Sequence, residues 1–460
     1  MSSVLLIYPF FRPPFDRSEF RFPPLGVAYV ASSLRAAGHD VSILDCTFLS
    51  RENAFREASR AAWPVVGIYG MITLEDDSIL FARALRGSAR LLVAGGPMPT
   101  SDPARFLEDF DVVVLGEGEQ TMVELLEAVR QGRDLMGVRG IAFRAGGLQP
   151  AARGTPVPGV VLSGDRPHAS ELDRMPFPAR DLLPNDRYRE AGRKRYGRSI
   201  TTIMTTRGCP FSCEFCSNEI FGVSYRARSP QNVVDEVEQV LSLGYERIHF
   251  ADDVFTLDRG RVQRICAEII RRGLHFRWEC LGRIDSVDRG LASLMKEAGC
   301  RRIFFGIESG DGQILRLMNK GITPSKARSA VVAAHQAGVK TGAFFILYYP
   351  GETDATVITT LRFALSLPLD YLSFTMPYPI PGTVLHRRVK DRMPGKWRQD
   401  GGILFDHTLI FDADYSQAKM RFAILKGQLE FALKRGLGRA GLIVLPVVRR
   451  PTDLILRLMR

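Results

Sequence analysis

Short apolar runs alternate with amphipathic stretches along most of this 460-residue chain, and that alternation limits its fold more than any other feature. The runs at 4–8, 40–44, 65–69, 90–94 and 112–115 consist mostly of Val, Leu and Ile. At that length they read as strands buried on both faces. Between them, 26–37, 74–85 and 121–130 carry apolar residues at helical spacing, as Val27, Val30, Ala31 and Leu34 do before Gly38 stops the first helix. Strand and helix in strict alternation, joined by short Gly-rich turns, predict a doubly wound parallel sheet, a Rossmann-like domain over 1–150. A second series follows, with strands at 200–206, 247–251, 275–281, 302–307, 341–347 and 371–376. Helical runs at 229–243, 258–272, 287–299, 323–337 and 353–367 separate them. This series predicts a partial (β/α)6 barrel over 197–385, with its chemistry at the C-terminal strand ends. The Pro-, Gly- and Arg-rich stretch 151–196 reads as a linker whose 172–182 segment packs on the barrel domain. Residues 386–460 read as a small basic helical region with a helix over 416–435.

The first barrel strand runs into Arg207-Gly208-Cys209-Pro210-Phe211-Ser212-Cys213-Glu214-Phe215-Cys216, a Cys-x3-Cys-x2-Cys spacing. Three thiols this close can wrap one face of a small metal cluster. Iron–sulfur cubanes usually take four thiolates, and no fourth Cys is near. One iron would therefore stay open for a substrate or cofactor. A structural zinc ion would want a fourth Cys or His at matching spacing, and the next ones, His249 and Cys266, fall on an expected strand and helix. Three unrelated core cysteines is the other alternative.

The triad, with aromatic Phe215 before its last Cys, resembles the radical S-adenosylmethionine (SAM) superfamily. That resemblance implies a [4Fe-4S] cluster on Cys209, Cys213 and Cys216 whose unique iron chelates the amino and carboxylate groups of SAM. Pro23-Pro24-Leu25-Gly26, Gly95-Gly96 and Gly116-Glu117-Gly118-Glu119, in this order ahead of the triad, resemble the cobalamin-binding class of that superfamily. Cobalamin is then implied at the C-terminal edge of the first sheet, beside Gly67, Gly70, Gly95, Gly96, Gly116, Glu117 and Gly118. Glycines at strand ends let backbone approach a large ligand closely. Many B12 proteins carry Asp-x-His-x-x-Gly after the first strand. Residues 9–16 here contain no His, so no lower axial ligand can be named.

In the same family, carboxylates and backbone at the barrel strand ends hold the SAM amino group and ribose hydroxyls. By position, Glu308 with Ser309 matches the ribose contact, and Asp252 or Asp253, together with Arg283, falls near SAM or the corrin. Carboxylates suit these jobs because they accept hydrogen bonds from ammonium and hydroxyl donors. The alternative for Asp253 is a helix cap. Relatives commonly read Gly-x-Pro-Gly-Glu after the fifth strand, whereas this chain reads Tyr348-Tyr349-Pro350-Gly351-Glu352. A Tyr348 phenol aimed into the barrel would shape the substrate cavity or donate a hydrogen atom; otherwise it packs the core. Cys280, on the third barrel strand, is the one remaining cysteine to check against the cavity.

Apolar content of 45% and charged content of 24% suit a globular protein. Seven cysteines without a disulfide framework and no signal-peptide pattern suggest a cytoplasmic, reducing setting. The net charge of +12 is concentrated in 419–460, which holds ten Lys/Arg against two Asp/Glu. Such a tail could meet an anionic membrane surface or pack on the barrel as a solvated face; no RNA-binding module accompanies it, so nucleic acid is not an expected partner. No stretch reaches the roughly 18 apolar residues of a membrane span. The resemblance implies a cobalamin-dependent radical SAM enzyme served by a reductant such as flavodoxin or ferredoxin. It would methylate an unactivated carbon, or a phosphinate phosphorus, of a small-molecule or lipid-like substrate. A cyclase or rearrangement enzyme with the same cofactors is the second reading, and a non-enzymatic B12 or redox sensor the third.

Overall fold

The structure is a computed structural model that describes residues 2–11, 22–146, 159–218, 220–393, 411–438 and 441–459. The chain divides into two compact units. One comprises Met1–Ile203, Asn218–Arg228 and Asp235–Arg247; the other Met204–Ser217, Ser229–Val234 and Ile248–Arg460.

In the first unit, strands β1 (Ser3–Tyr8), β2 (Asp40–Asp45), β3 (Val65–Tyr69), β4 (Leu91–Gly95) and β5 (Val112–Val114) form a parallel sheet in the order β2-β1-β3-β4-β5. Helices cover both faces, so Leu6 packs with Val27 and Leu125 while its neighbour Ile7 packs with Phe81 and Phe106. This two-sided burial makes the strands uniformly apolar. The order reverses between β1 and β3, the switch point beyond which doubly wound sheets hold ligands. Strands β6 (Ile141–Arg144) and β7 (Val160–Leu162) add an antiparallel edge that was not expected. Their short runs carry no clear period, and Arg144 anchors β6 by donating to the Phe110 carbonyl at 2.8 Å beside Asp111.

The stretch expected as a linker is part of this first unit. Ala179 and Leu182 join the apolar cluster of Val27 and Leu125, and the Ala179 N–H donates to the Ala28 carbonyl at 3.0 Å. Segment 172–182 thus packs on the first sheet as well as on the expected barrel residues, where Arg180 donates to the Thr202 carbonyl at 2.7 Å. Helix Asn185–Tyr196 is charged on nearly every side, which hid it from periodicity. One buried side chain fixes it: the Tyr188 hydroxyl donates to Asp45 at 2.7 Å.

The second sheet follows chain order, with β8 (Ile200–Ile203), β11 (Arg247–Phe250), β12 (Arg277–Gly282), β13 (Cys300–Glu308), β14 (Lys340–Ile346) and β15 (Tyr371–Thr375) side by side. The two-residue strands β9 (Thr206–Arg207) and β10 (Arg226–Ala227) flank the cysteine loop. Helices Arg259–Arg271, Arg289–Glu297, Pro324–Gln336 and Asp354–Ser366 are capped by Asp258, Asp288, Thr323 and Thr353. Along β13, Ile303, Phe305 and Ile307 face these helices. Arg302, Phe304 and Gly306 alternate onto the barrel interior, where Phe304 stacks with Phe344 and meets Tyr371 edge-on, before a register shift between Gly306 and Glu308 breaks the alternation. Two helices, Gln417–Leu437 and Gly441–Leu458, close the chain and pack against one another.

Candidate functional site

The cysteine loop is held by its non-cysteine residues. Gly208 takes a left-handed φ of 83°, which turns the chain out of β9. The Glu214 N–H donates to the Met318 carbonyl at 3.0 Å, and its own carbonyl accepts from Leu385 at 2.8 Å. Tyr349 and Arg388 each reach the Glu214 carboxylate at 3.1 Å. Asn319 donates to the Ser212 carbonyl at 2.8 Å. Phe215 packs its partly buried ring against the cluster that contains Ile314, Met318, Ile346 and Leu385, which explains an aromatic residue before the last thiol. The Arg283 guanidinium lies 3.5 Å from the centre of the Phe211 ring, and its Nη2 donates to the Lys320 carbonyl at 3.1 Å.

Cys209, Cys213 and Cys216 are partly or well exposed, unlike the buried Cys46, Cys266, Cys280 and Cys300. Cys280 faces the helices beside Cys300, not the interior. Burial raises the Cys209 thiol, and burial followed by the Cys213 charge pushes Cys216 up to about 11. Metal ligation displaces such protons. No group of three or more His, Cys, Asp or Glu among the described residues is gathered to hold one ion. Thiols on a cubane each take a different iron, so they stand further apart than the ligands of a single ion. A short-loop, three-thiol donor set with no fourth ligand among the described residues suits a site-differentiated cluster and does not suit structural zinc.

Around the thiols, the expected strand-end residues divide into two groups. Asp252 is largely occupied: it accepts from the Thr205 N–H at 2.5 Å, the Thr206 N–H at 3.0 Å and the Thr205 hydroxyl. It clamps the backbone entering the loop and commits three of its roughly four lone-pair sites to that task. Ser309 is likewise buried against Thr360 at 3.0 Å. Asp253 makes no hydrogen bond to a described residue, and its carboxyl is raised by desolvation and then by Asp252. It is not a helix cap, since Asp258 fills that place. Glu308 sits at a left-handed φ of 69°, and one oxygen accepts from Lys320 at 3.0 Å. Gly306 makes that pair fit, because a Cβ there would lie 2.6 Å from Glu308 Oε1. Lys320 was missed by sequence reasoning. Burial opposes its charge, but Glu308 and Cys213 outweigh burial and raise its pKa overall.

Tyr348 stands at φ 61°, the conformation that favours the glycine usual at this position in relatives. Its hydroxyl reaches Asp354 at 3.3 Å and its ring meets Tyr415 at 4.7 Å. These contacts account for the phenol as packing between the barrel and the segment that leads into helix Gln417–Leu437. They give no support to a hydrogen-donor role.

At the first sheet's switch point, Tyr8 and Tyr69 face each other at 5.6 Å. The glycines there differ in kind. A Cβ on Gly67 would strike Leu6 at 2.7 Å, on Gly70 Pro99 at 2.7 Å, and on Gly96 the Gly70 carbonyl at 2.5 Å. Those three are required by the protein's own packing. Gly118 lies in ordinary contact with Val30 and Val114, and Gly116 needs its φ of 67°. Gly95 has neither reason: its Cβ would meet only Val114, at 3.8 Å, and its φ is not left-handed. The absence of any close contact there fits the approach of a large ligand. Glu117 is occupied within the protein, pairing with Arg226 at 2.6 Å and accepting from the Ala169 N–H at 3.2 Å. The segment after β1 that would carry an axial His lies, from residue 12, outside the described residues.

Residues 203–364 match the family model of the radical SAM superfamily, and residues 13–126 match that of the B12 binding domain. A Pyrococcus horikoshii protein named as an uncharacterized methyltransferase is 35% identical over 374 residues, covering 79% of this chain and 77% of the relative. The anaerobic magnesium-protoporphyrin IX monomethyl ester cyclase of Rubrivivax gelatinosus is 30% identical over 407 residues, covering 85% of this chain and 70% of the relative. The radical SAM methyltransferase TsrM of Kitasatospora setae, solved with cobalamin and a [4Fe-4S] cluster, superposes with a TM-score of 0.68 at 21% identity, over 87% of this chain and 77% of that one. The chain therefore belongs to the B12-binding branch of the radical SAM superfamily, an enzyme family whose cofactors are a [4Fe-4S] cluster, SAM and cobalamin.

Proposed function

We propose that the protein is a methyltransferase that replaces a C–H bond of a small-molecule or lipid-like substrate by C–CH3. In this reading residues 1–150 carry cobalamin and residues 197–385 carry the cluster and SAM. The observation that carries it is the loop 208–217, anchored through Phe211, Ser212, Glu214 and Phe215 while its three thiols share the site with Asp253 and Glu308. When bound, cluster and SAM supply a 5′-deoxyadenosyl radical and cobalamin supplies the methyl group. The chain's own residues position these groups. Cys209, Cys213 and Cys216 hold the cluster, and the Arg283–Phe211 stack fixes the loop's outer turn. Asp253 and the second Glu308 oxygen are left to accept from the SAM ammonium and ribose hydroxyls, while Lys320 holds the first Glu308 oxygen. Gly95 opens the sheet edge to the corrin. The rings of Phe304, Phe344 and Tyr371 in the barrel suit a substrate with extensive apolar surface.

The net reaction consumes two SAM molecules. One yields methionine and 5′-deoxyadenosine, the other S-adenosylhomocysteine, and a flavodoxin or ferredoxin in a reducing cytoplasm supplies the two electrons that balance the turnover. The 30% identity to a cyclase favours one second reading, an oxidative ring closure without methyl transfer. Anaerobic reconstitution with iron, sulfide and hydroxocobalamin, then reduction and mass spectrometry of SAM products, separates the two. S-adenosylhomocysteine with 5′-deoxyadenosine is the expected result. Deoxyadenosine alone with cobalamin retained selects the cyclase, and neither product with no cobalamin bound overturns both.

A further inference from the structure

The last helix turns an apolar stripe to solvent. On Gly441–Leu458, Val447, Leu454 and Leu458 fall on one face and are 72%, 58% and 73% exposed, with Val444 and Ile455 exposed beside them. The opposite face is already used, since Leu445 and Leu456 are buried. The preceding helix, Gln417–Leu437, leaves Leu425 and Leu429 at 63% and 53%. Described residues contain no helix long and apolar enough to cross a membrane, so the stripe needs a partner that takes one face.

Charge identifies that partner. The only two acids of these helices, Glu430 and Asp453, point inward. Glu430 pairs with Lys426 and, at 2.7 Å, with Arg449; Asp453 takes Lys426 and Arg362, each at 2.8 Å. Lys419 is also turned inward, onto Asp354 at 2.8 Å. Every exposed charge among the described side chains of the two helices is therefore positive: Arg421, Arg435, Arg450 and Arg457. Arg450 and Arg457 follow Val447 and Leu454 by three residues, bordering the stripe, and neither makes an ion pair with a described residue. A second copy meeting this face symmetrically would oppose like charges. Exposed apolar side chains bordered by unpaired arginines match the interface of a bilayer with anionic headgroups.

We propose that the helix Gly441–Leu458 docks this face on an anionic phospholipid bilayer, as a peripheral and not a spanning contact. The inference stands apart from the reaction assigned above, although it would bring the barrel close to lipid-like substrates. The test is co-sedimentation of the full-chain holoenzyme with phosphatidylglycerol-containing vesicles and with pure phosphatidylcholine vesicles. Binding to the first, weakened by salt, is expected. Arg450→Gln with Arg457→Gln should lower partitioning about 25-fold, about fivefold for each arginine. Val447→Ser with Leu454→Ser and Leu458→Ser should lower it by more than about tenfold. Both variants should keep the wild-type unfolding midpoint, since the replaced side chains are exposed. Absence of binding to the anionic vesicles, or binding unchanged in both variants, overturns the proposal. A concentration-dependent dimer that the triple variant abolishes would also overturn it, assigning the face to a second copy.

Discussion

Removing the charge of Glu236 should unfold the first unit far more readily than its position on an ordinary helix would suggest. Glu236 lies on Pro230–Ser242 with no exposed surface, and its carboxylate serves two buried arginines. Arg180 donates to Oε1 at 2.6 Å and to the Thr202 carbonyl at 2.7 Å, and Arg228 donates to Oε2. Two guanidinium groups thus share one counter-charge away from water. Breaking a buried pair by deleting one partner costs about 3–5 kcal/mol because the survivor keeps its desolvation penalty. Glu236→Ala strands two survivors and should fall at the upper end. Glu236→Gln keeps the shape and one acceptor, so about 2–3 kcal/mol is expected. At roughly 2–4 °C per kcal/mol, a loss of about 4 kcal/mol lowers the first thermal transition by roughly 8–16 °C. Circular dichroism melts of the cofactor-free chain, paired with limited proteolysis, would measure it. Replacing all three together, Arg180→Met, Glu236→Leu and Arg228→Met, should recover most of the loss, since no charge is then buried. A shift below about 1 kcal/mol for Glu236→Ala, or a triple variant no more stable than that single one, would refute the reasoning.

Three further outcomes follow from the geometry. Burial holds the Glu352 carboxyl protonated up to about 8, against 4.5 in the unfolded chain, so the folded state retains a proton that the unfolded state releases. Stability should then fall as pH rises from about 4.5 to about 8, by about 4–5 kcal/mol in all at 1.36 kcal/mol per pH unit; Glu352→Gln should flatten that slope, and an unchanged slope would contradict it. Gly95→Leu should cut cobalamin retention on a desalting column with little change in melting temperature. Gly70→Ala should instead lower the melting temperature, because its Cβ meets Pro99 at 2.7 Å; the reverse pattern would reassign the two glycines. Tyr348→Phe should cost about 1 kcal/mol and leave SAM cleavage intact, whereas a drop of several orders of magnitude would make the hydroxyl a participant. Tyr348→Gly should be less stable still despite relieving a φ of 61°, since about 1–3 kcal/mol of strain is smaller than the lost ring packing of about 3–5 kcal/mol.

The sequence alone determined the strand-and-helix order, because period and length separate a buried strand from an amphipathic helix without reference to partners. It also determined the chemistry of the cysteine loop, since the spacing of Cys209, Cys213 and Cys216 is local. Helix Asn185–Tyr196 and the edge strands β6 and β7 were not legible, because one buried Tyr188 and one buried Arg144 hold them, and single contacts leave no period. Only the tertiary structure decided which strand-end residues are free to act. Asp252 and Asp253 are adjacent and chemically identical, yet three donors from Thr205 and Thr206 occupy most of the first and leave the second open. Gly67, Gly70 and Gly96 looked like Gly95, but distant side chains and carbonyls crowd them, whereas Gly95 has only an ordinary contact with Val114. The tail's ten basic residues read as one uniform charge until folding turned Lys419, Lys426 and Arg449 onto acids and left Arg450 and Arg457 beside exposed leucines. A sequence records which groups a chain carries; which of them are already spoken for depends on neighbours far away along the chain, and those meet only in the folded state.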